Sequence, residues 1–213
     1  MKWTGERCVP EDLRHMPWIY TYSLMRYAFA AQYCGNKRVL DIACGTGYGM
    51  QVISPVCIEI SGGDIDEESL VKTRLSKTNK TKFIKKIDLN TQTIADVFKQ
   101  QFDVIVSFET IEHLNNPNFF LNSIRDSLVH GGYFIFSVPV LNGDKFHKVI
   151  FSYDQALNLC NNLFPYQRIV IQRFETLIGM NEIPDPEVLL PQEFGKVGTS
   201  IIKVMGDLND NTL

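Results

Sequence analysis

The sequence has few cysteines, and they form none of the patterns that bind metals or build disulfide frameworks. The five cysteines among its 213 residues are odd in number, lie far apart and include no Cys-x-x-Cys pair. A disulfide scaffold and a zinc knuckle are therefore both disfavoured. This use of cysteine is typical of a reducing compartment, so we expect a cytoplasmic location.

Long apolar runs and an excess of charge of one sign are also missing. The first residues, "MKWTGERCVPEDLRHM", contain no apolar signal core, and no later run approaches the roughly 18 apolar residues of a membrane-spanning helix. We therefore expect no membrane insertion. Lys and Arg number 21 against 24 Asp and Glu, and the basic residues look scattered, so nucleic-acid binding is not expected.

The sequence does show an alternation of strand-like and helix-like segments. The predicted strands are 37–43, 57–65, 82–89, 102–107, 131–139, 167–174 and 198–207, and predicted helices begin near 17, 47, 66, 117 and 153. This order indicates right-handed βαβ crossovers. We expect an α/β fold with a seven-stranded, mostly parallel sheet, a C-terminal antiparallel strand and helices on both faces. A helical segment, 1–36, would precede the core, 37–213, as a lid.

A glycine-rich turn, "CGTGYG", follows the first predicted strand. It places Gly45, Gly47 and Gly49 at alternate positions before a helix. Glycine lets the backbone turn sharply and lets a ligand approach without a Cβ in the way. A dinucleotide-binding turn would have glycine at the sixth position counted from Gly45, where this chain has Met50. A nicotinamide cofactor is therefore disfavoured.

Three carboxylates lie at the ends of successive predicted strands. Asp41 belongs to the first strand, Asp64 ends the second about 20 residues beyond the glycine turn, and Asp88 ends the third. At that spacing Asp64 can accept both hydroxyls of a ribose, and Asp88 is placed to meet an exocyclic amine. Because no Walker-type lysine accompanies them, these acids favour a nucleoside that carries an ammonium group over ATP.

The motifs "VLDIACGTGYG", "GDID" and "IDL", in this order, resemble those of the class I S-adenosylmethionine (SAM)-dependent methyltransferases, which have a Rossmann-like fold. The resemblance implies SAM as the cofactor, with the glycines near its methionine part, Asp41 at its polar end, Asp64 on the ribose and Asp88 beside the adenine. Ala43 stands where many members have glycine. The full cofactor-binding set that we predict is Asp41, Ala43, Gly45, Gly47, Asp64, Ile65, Asp88, Leu89, Phe108 and Arg7.

A narrower resemblance covers nearly the whole chain. The stretches "WTGERCVPE", "MRYAFAAQY" and "VSFETIEH", with "FH" at Phe146 and His147, are similar to methyltransferases of surface-polysaccharide gene clusters and to domains of large DNA viruses that make their own glycans. The bacterial proteins are often fused to glycosyltransferases. The resemblance implies methylation of a sugar hydroxyl on a glycan or nucleotide sugar, such as a deoxyhexose like rhamnose. A carbohydrate is then the acceptor, and a glycosyltransferase is a candidate partner.

The stretch "FETIEHL" carries Glu109, Glu112 and His113 at positions i, i+3 and i+4. A helical turn would project all three side chains to one side, where they could share one divalent ion such as Mg²⁺ or Mn²⁺. The pattern Glu-x-x-Glu-His resembles the metal-binding motif of small-RNA 2′-O-methyltransferases and of ubiquinone-pathway O-methyltransferases. In the former a later histidine completes the site, and His147 is the matching candidate here.

The same residues are also the candidates for catalysis. A coordinated hydroxyl would lose its proton more easily, and His113 or His147 could instead act as a general base without a metal. We predict His113, His147 and Glu109 as catalytic. The acids could also simply favour the start of a helix. Two other functions stay open: 2′-O-methylation of a small RNA 3′ end, and a non-catalytic SAM-binding module that docks onto a glycosyltransferase.

Overall fold

The computed structural model describes residues 17–140, 143, 145–164, 166–173, 176–179 and 199–206. Arg7 and the motif "WTGERCVPE" lie outside these residues, so the predictions made for them are not addressed by the structure. Within the described part of the chain, no helix combines the length and the apolar character that crossing a bilayer would need.

A single sheet of eight strands, in the order β3-β2-β1-β4-β5-β8-β6-β7, organises the described residues. The strands are β1 Arg38–Ile42, β2 Glu59–Asp64, β3 Thr81–Lys86, β4 Phe102–Phe108, β5 Leu128–Pro139, β6 Tyr166–Arg173, β7 Thr176–Gly179 and β8 Thr199–Gly206. The first five run parallel, and β8 lies antiparallel between β5 and β6. The predicted Rossmann-like sheet is confirmed, with the short β7 added at its edge.

Four of the six described helices begin at a residue whose side chain caps them. The six are α1 Pro17–Ala31, α2 Tyr48–Ile53, α3 Glu67–Leu75, α4 Ile94–Phe98, α5 Pro117–Ser127 and α6 Tyr153–Asn158, with a short 3₁₀ turn at Ile111–His113. Asp66 caps α3 by accepting from the Ser69 N–H, and Ser152 and Gln155 form a capping box at α6. The helix predicted over 153–164 ends at Asn158, because the chain turns there and Cys160 has a φ of 73°.

Two clusters of buried apolar side chains cover the two faces of the sheet. Neighbouring residues of each central strand alternate between the clusters, as the two-residue period of a strand requires. Val39, Val104 and Ile135 belong to one cluster, and Leu40, Ile105 and Phe134 belong to the other. Residues of α1 and α2 pack in the first cluster and those of α4, α5 and α6 in the second, so the expected helices on both faces are present.

A buried lysine on β8 closes the end of α6. Lys203 is completely buried, and its ammonium group donates to the carbonyls of Leu157 and Leu159 and to the side-chain oxygen of Asn161. Cations bind favourably to the carbonyl groups left at a helix C-terminus. Burial lowers the pKa of Lys203 to about 8. The β8 strand therefore holds the segment after α6 in place.

Candidate functional site

The glycine turn between β1 and α2 has a left-handed backbone at three positions. The φ angles are 62° at Ala43, 54° at Gly45 and 78° at Gly47, a region that glycine tolerates best. A Cβ on Gly45 would meet no heavy atom within 4 Å, whereas one on Gly47 would lie 2.5 Å from Cγ2 of Thr73. Gly45 therefore borders open space that a ligand can use, and Gly47 allows α3 to pack against the turn.

Asp64 fixes the turn from the end of β2. Its Oδ2 accepts from the Gly45 N–H at 2.8 Å, and its Oδ1 accepts from the Asp66 N–H at 2.9 Å. Each carboxylate oxygen can accept a further hydrogen bond. The next residue, Ile65, has 49% of its surface exposed. Asp64, predicted for the ribose, and Ile65 of the predicted cofactor-binding set are therefore neighbours at the glycine turn, next to the open space at Gly45.

Asp41 is a completely buried carboxylate with one oxygen left over. Its Oδ1 accepts from the Tyr27 hydroxyl at 3.1 Å, and its Oδ2 has no hydrogen-bond partner. Burial raises the pKa of Asp41 to about 8, the Tyr27 hydrogen bond opposes the rise, and the nearby Asp64 adds to it. An unpaired buried acceptor is costly. The missing partner is a hydrogen-bond donor, and an ammonium group is well suited to that role.

Asp88, the third predicted acid, does not lie at the end of a strand as expected. The β3 strand ends at Lys86, so Asp88 belongs to the loop that follows it rather than to the strand end. One carboxylate oxygen of Asp88 accepts from the N–H and the side-chain amide of Asn90, at 2.9 and 3.2 Å. Leu89 packs in the apolar core and is 8% exposed. The role of these two residues beside a base stays a prediction.

The "FETIEHL" stretch follows β4 as predicted, but only its second half coils. Phe108 ends the strand, Glu109 has a φ of 50°, and the turn that follows is a 3₁₀ helix of three residues. Glu109 precedes this turn, so its side chain points elsewhere. Its carboxylate accepts from Ser137 Oγ at 2.6 Å and Ser200 Oγ at 3.1 Å, and lies 3.6 Å from Nη2 of Arg26.

The other three residues of the predicted metal set do come together. Ligand atoms of Glu112, His113 and His147 all lie within 4.8 Å of one another. Glu112 is 1% exposed, and neither of its carboxylate oxygens has a hydrogen-bond partner. Burial, with a smaller contribution from Glu109, raises the pKa of Glu112 well above its usual range. A buried carboxylate without donors, beside two imidazoles, fits a bound cation. We call these three residues the Glu-His-His cluster.

Backbone contacts hold the cluster in this shape. The Nδ1 atom of His113 lies 3.1 Å from the Phe146 carbonyl. Because a carbonyl only accepts, Nδ1 donates to it, and Nε2 is the nitrogen that faces Glu112, 3.7 Å from its Oε1. Such carbonyls commonly orient metal-binding histidines. The N–H groups of Lys148 and Val149 donate to the Glu112 carbonyl at 2.7 and 3.1 Å, which secures the segment beside His147.

Comparison with known proteins identifies the central part of the chain. Residues 40–134 match the model of a family described as a methyltransferase domain. This part of the chain is therefore similar to a methyltransferase domain, in keeping with its Rossmann-like fold. The matched range contains the glycine turn, Asp64, Asp88 and the "FETIEHL" stretch, whereas α1 and His147 lie outside it.

Individual relatives of the methyltransferase domain support the same assignment. A probable S-adenosylmethionine-dependent methyltransferase of Mycolicibacterium smegmatis is 29% identical over 138 residues, covering 64% of this chain and 51% of that protein. A ubiquinone biosynthesis O-methyltransferase of Shewanella pealeana is 30% identical over 102 residues, covering 48% and 43%. The chain therefore spans about half the length of these curated relatives.

A solved structure shows the fold over a longer range. The N-methyltransferase NodS of Bradyrhizobium japonicum, in complex with S-adenosylhomocysteine (SAH), aligns with a TM-score of 0.64 at 14% identity. The alignment covers 92% of this chain and 91% of NodS. At this identity the likeness establishes the fold of the methyltransferase domain and nothing about its acceptor.

The structure also shows site residues that the sequence interpretation missed. Arg26 of α1 is 8% exposed, and its guanidinium donates to Gln172 Oε1 at 2.5 Å and to Ser200 Oγ at 3.4 Å. Its neighbour Tyr27 reaches Asp41. A charged residue within the mostly apolar stretch "MRYAFAAQY" was the available signal, because a buried charge needs a partner. The partners themselves lie more than a hundred residues away.

Proposed function

We propose that this protein is a SAM-dependent O-methyltransferase that methylates a sugar hydroxyl of a glycan or nucleotide sugar with the help of a divalent metal ion. The observation that carries the proposal is the Glu-His-His cluster. It follows β4 and β5, at the same edge of the sheet as the glycine turn after β1. A cofactor site and an acceptor site are therefore neighbours, as methyl transfer between two bound molecules requires.

The cofactor half fits SAM on three observations. The unpaired Asp41 Oδ2 would accept from the ammonium group, the open space at Gly45 would admit the methionine part, and Asp64, at the end of β2 beside the turn, would accept from the ribose hydroxyls. The exposed side chain of Ile65 would pack against the base. When bound, SAM supplies a methyl group on a sulfonium centre, whose sulfur keeps the bonding electron pair on leaving.

The acceptor half fits a divalent ion held by Glu112, His113 and His147. A carboxylate with two imidazoles suits Mn²⁺ and related ions, and Mg²⁺ is the more oxygen-preferring alternative. A divalent ion supplies positive charge that makes a coordinated hydroxyl more acidic. Two adjacent hydroxyls of a sugar could share such an ion, which supports a vicinal diol as the acceptor.

The hydroxyl must also lose its proton as the new carbon–oxygen bond forms. In a metal-free site, Nε2 of His113, which faces the cluster, would accept that proton, and His147, whose ring centroid lies 4.9 Å from that of His113, is the alternative. With an ion bound, the coordinating nitrogens have no lone pair left for the proton, which then passes to water. The histidines therefore matter in either version of the mechanism.

Methylation of an RNA end is the second candidate, and one observation bears on it. The basic residues are less scattered than the sequence interpretation assumed, since residues 72–86 contain seven Lys or Arg and no acid. Four of the seven are already engaged with the protein. These are Arg74 with Glu67, Lys80 with the carbonyls of Pro55 and Cys57, Lys82 with Glu59, and Lys85 with the carbonyl of Val97. The stretch therefore favours a structural role over RNA binding.

Calorimetric titration of chelator-treated protein tests the proposal. We expect SAH to bind, and Mn²⁺ to bind wild type but not the His147→Ala variant. The exposed His130→Ala variant is the matched control and should bind Mn²⁺ as wild type does. Methyl transfer from SAM is then measured with sugars that carry adjacent hydroxyls and with a short RNA at several salt concentrations. Failure of SAH to bind would refute the methyltransferase assignment, and transfer to RNA alone would refute the sugar acceptor.

A further inference from the structure

Two successive residues of α1 contact the two halves of the site. The Tyr27 hydroxyl donates a hydrogen bond to Oδ1 of Asp41 at 3.1 Å, in the cofactor half. Arg26 places Nη2 3.6 Å from Oε2 of Glu109, which borders the Glu-His-His cluster. Because neighbouring residues of a helix move together, a change at either contact must be felt at the other. The helix thus connects the two halves.

The Tyr27 ring is confined on all sides. A Cβ on Gly49 would lie 2.0 Å from Cζ of this ring, so the ring fills the place of that side chain. The ring also meets Tyr48 and Phe108 edge to face, with centroid distances of 5.6 and 4.9 Å. Its hydroxyl can therefore reach Asp41 only while α1 keeps its present position on the sheet.

The carboxylate of Glu109 is used by groups other than the cluster. Its Oε1 accepts from Ser137 on β5, and its Oε2 accepts from Ser200 on β8 and faces Arg26. The backbone N–H of Glu109 donates to Ser137 as well, at 3.2 Å to the carbonyl and 3.2 Å to the hydroxyl, which holds the left-handed φ of 50°. The carboxylate is thereby turned toward two serine hydroxyls and the Arg26 guanidinium, and it is not among the groups whose ligand atoms lie within 4.8 Å of one another in the Glu-His-His cluster.

Among the described residues, Glu109 is the carboxylate that forms an ion pair with Arg26, at 3.6 Å. Its guanidinium is buried and donates to Gln172 Oε1 and Ser200 Oγ, both neutral, so Glu109 is the anion that faces it. A buried charge is tolerated when it is paired and hydrogen-bonded. Gln172 in turn donates to the Tyr22 carbonyl at 2.9 Å, which returns the network to α1.

We propose that Arg26 and Glu109 are positioning residues that anchor α1, so that Tyr27 holds Asp41 ready for the cofactor, and that Glu109 serves this purpose instead of binding the metal. The inference rests on the proposed SAM site and deepens it. It assigns cofactor affinity to an ion pair that does not touch the cofactor, and it reduces the predicted metal set to Glu112, His113 and His147.

The test is the SAH dissociation constant measured by calorimetry in metal-free buffer. Arg26→Met and Glu109→Gln should each weaken SAH binding about tenfold, the effect of losing one hydrogen bond to a charged group. The double variant should be no weaker than either single variant, and Arg26→Lys should recover part of the loss. In a Tyr27→Phe background, Arg26→Met should have no further effect, because Arg26 acts through Tyr27.

Arg38→Met is the matched control for the loss of an ion pair. Arg38 forms an ion pair with Asp103 at 2.9 Å. This pair lies where β1 and β4 begin, whereas the candidate site lies where these strands end. Loss of the pair should lower the melting temperature and leave the SAH affinity unchanged. If Arg26 had a purely structural role, Arg26→Met would likewise lower the melting temperature and leave the SAH affinity unchanged. Unchanged SAH affinity in folded Arg26→Met and Arg26→Lys variants would therefore overturn the proposal.

A Mn²⁺ titration separates the two roles of the carboxylates. Glu109→Gln should keep its Mn²⁺ affinity, whereas Glu112→Gln should lose it. If Glu109→Gln loses Mn²⁺ as fully as Glu112→Gln does, Glu109 is a ligand and the anchor assignment is wrong. If wild type binds SAH but no metal, the metal part of the proposed function fails while the SAH measurements still decide the anchor. If wild type binds no SAH, both proposals fall together.

Discussion

The cofactor half and the acceptor half of the site are built in different ways. In the cofactor half, Asp64 and Gly45 are 19 residues apart, and the carboxylate is satisfied by two nearby backbone N–H groups. In the acceptor half, Glu112 is buried with both oxygens unpaired, beside a histidine from a segment that follows the next strand. The first half leaves one buried carboxylate oxygen without a partner, Oδ2 of Asp41, whereas the second leaves both oxygens of Glu112 without one. This contrast suggests that ligands stabilise the two halves unequally.

The strongest way to break the cofactor half is to fill its open space. We expect Gly45→Val to reduce SAH affinity about a hundredfold, because the branched side chain would occupy the ligand's space. Gly131→Val is the matched control, since Gly131 also has a positive φ, 76°, and open surroundings, but lies in β5. Both variants should lose stability from backbone strain. Equal loss of SAH affinity in both would contradict a ligand site at Gly45.

The acceptor half is tested by removing its buried charge. Glu112→Gln should reduce Mn²⁺ affinity about a hundredfold. Loss of a residue that only supports a metal ligand costs about 10- to 100-fold in affinity, and loss of a ligand itself should cost at least as much. In metal-free buffer the same variant should gain stability over wild type chiefly at high pH, where the buried carboxyl of wild type has to ionise. Thermal melts with and without Mn²⁺ measure both effects. A Glu112→Gln protein that is less stable in both conditions would indicate a structural role.

The pH dependence of stability distinguishes Asp41 from an ordinary surface acid. Its pKa is raised from 3.8 to about 8 in the folded protein. A raised carboxyl pKa contributes stability that is fully present below about pH 4 and is lost as the pH rises toward 8. Ligand-free protein should therefore unfold more easily at pH 8 than at pH 5, and Asp41→Asn should reduce that difference.

Asp103 should change the stability of the protein with pH in the opposite direction. The hydrogen bond from Arg38 lowers the pKa of Asp103 below its usual range, so its contribution is lost as the pH falls. Asp103→Asn should therefore cost stability at neutral pH and change the acid side of the curve. Urea denaturation at pH 5 and pH 8 measures Asp41→Asn, and a series continued below about pH 4 measures Asp103→Asn. Identical pH profiles for wild type and Asp41→Asn would show that Asp41 titrates normally.

The smallest expected effect concerns the exposed side of the cofactor half. Ile65→Ser should weaken SAH binding about threefold, by removing apolar surface that the base would cover. Its melting temperature should hardly change, because half of the side chain is already exposed. Leu75→Ser, on the exposed side of α3 at 84%, is the control and should leave the SAH affinity unchanged. A similar loss in both variants would argue against a base at Ile65.

The cofactor half was largely predictable from the sequence, because its parts are local. Strand, glycine turn, helix and acid follow one another, and each has its own pattern of residues. Asp41 and Asp64 accordingly lie beside the turn as expected. The exception is Asp88, which the sequence placed at a strand end and which lies in the loop beyond β3, since no pattern marks where pairing with β2 stops.

For the acceptor half, the sequence predicted which residues take part but not how they are arranged. Glu112, His113 and His147 come together, but the position of Glu109 depends on whether the turn is an α-helix or a 3₁₀ helix, and sequence spacing does not distinguish the two. The contacts of Arg26 join residues 146 and 174 positions apart. They depend on how the strands are ordered in the sheet, which a local pattern does not contain.

The position of β8 affects the order in which parts of the protein can fold during synthesis. This strand follows β6 in the chain but lies between β5 and β6 in the sheet. A nascent chain that has not yet released residues 199–206 from the ribosome lacks the strand that joins β6 to the sheet. It also lacks Ser200 for Arg26 and Glu109, and Lys203 for the end of α6. The network that anchors α1 can therefore be completed only after β8 has emerged, whereas the hydrogen bonds to the glycine turn come from Asp64 and Thr73, which are synthesised much earlier.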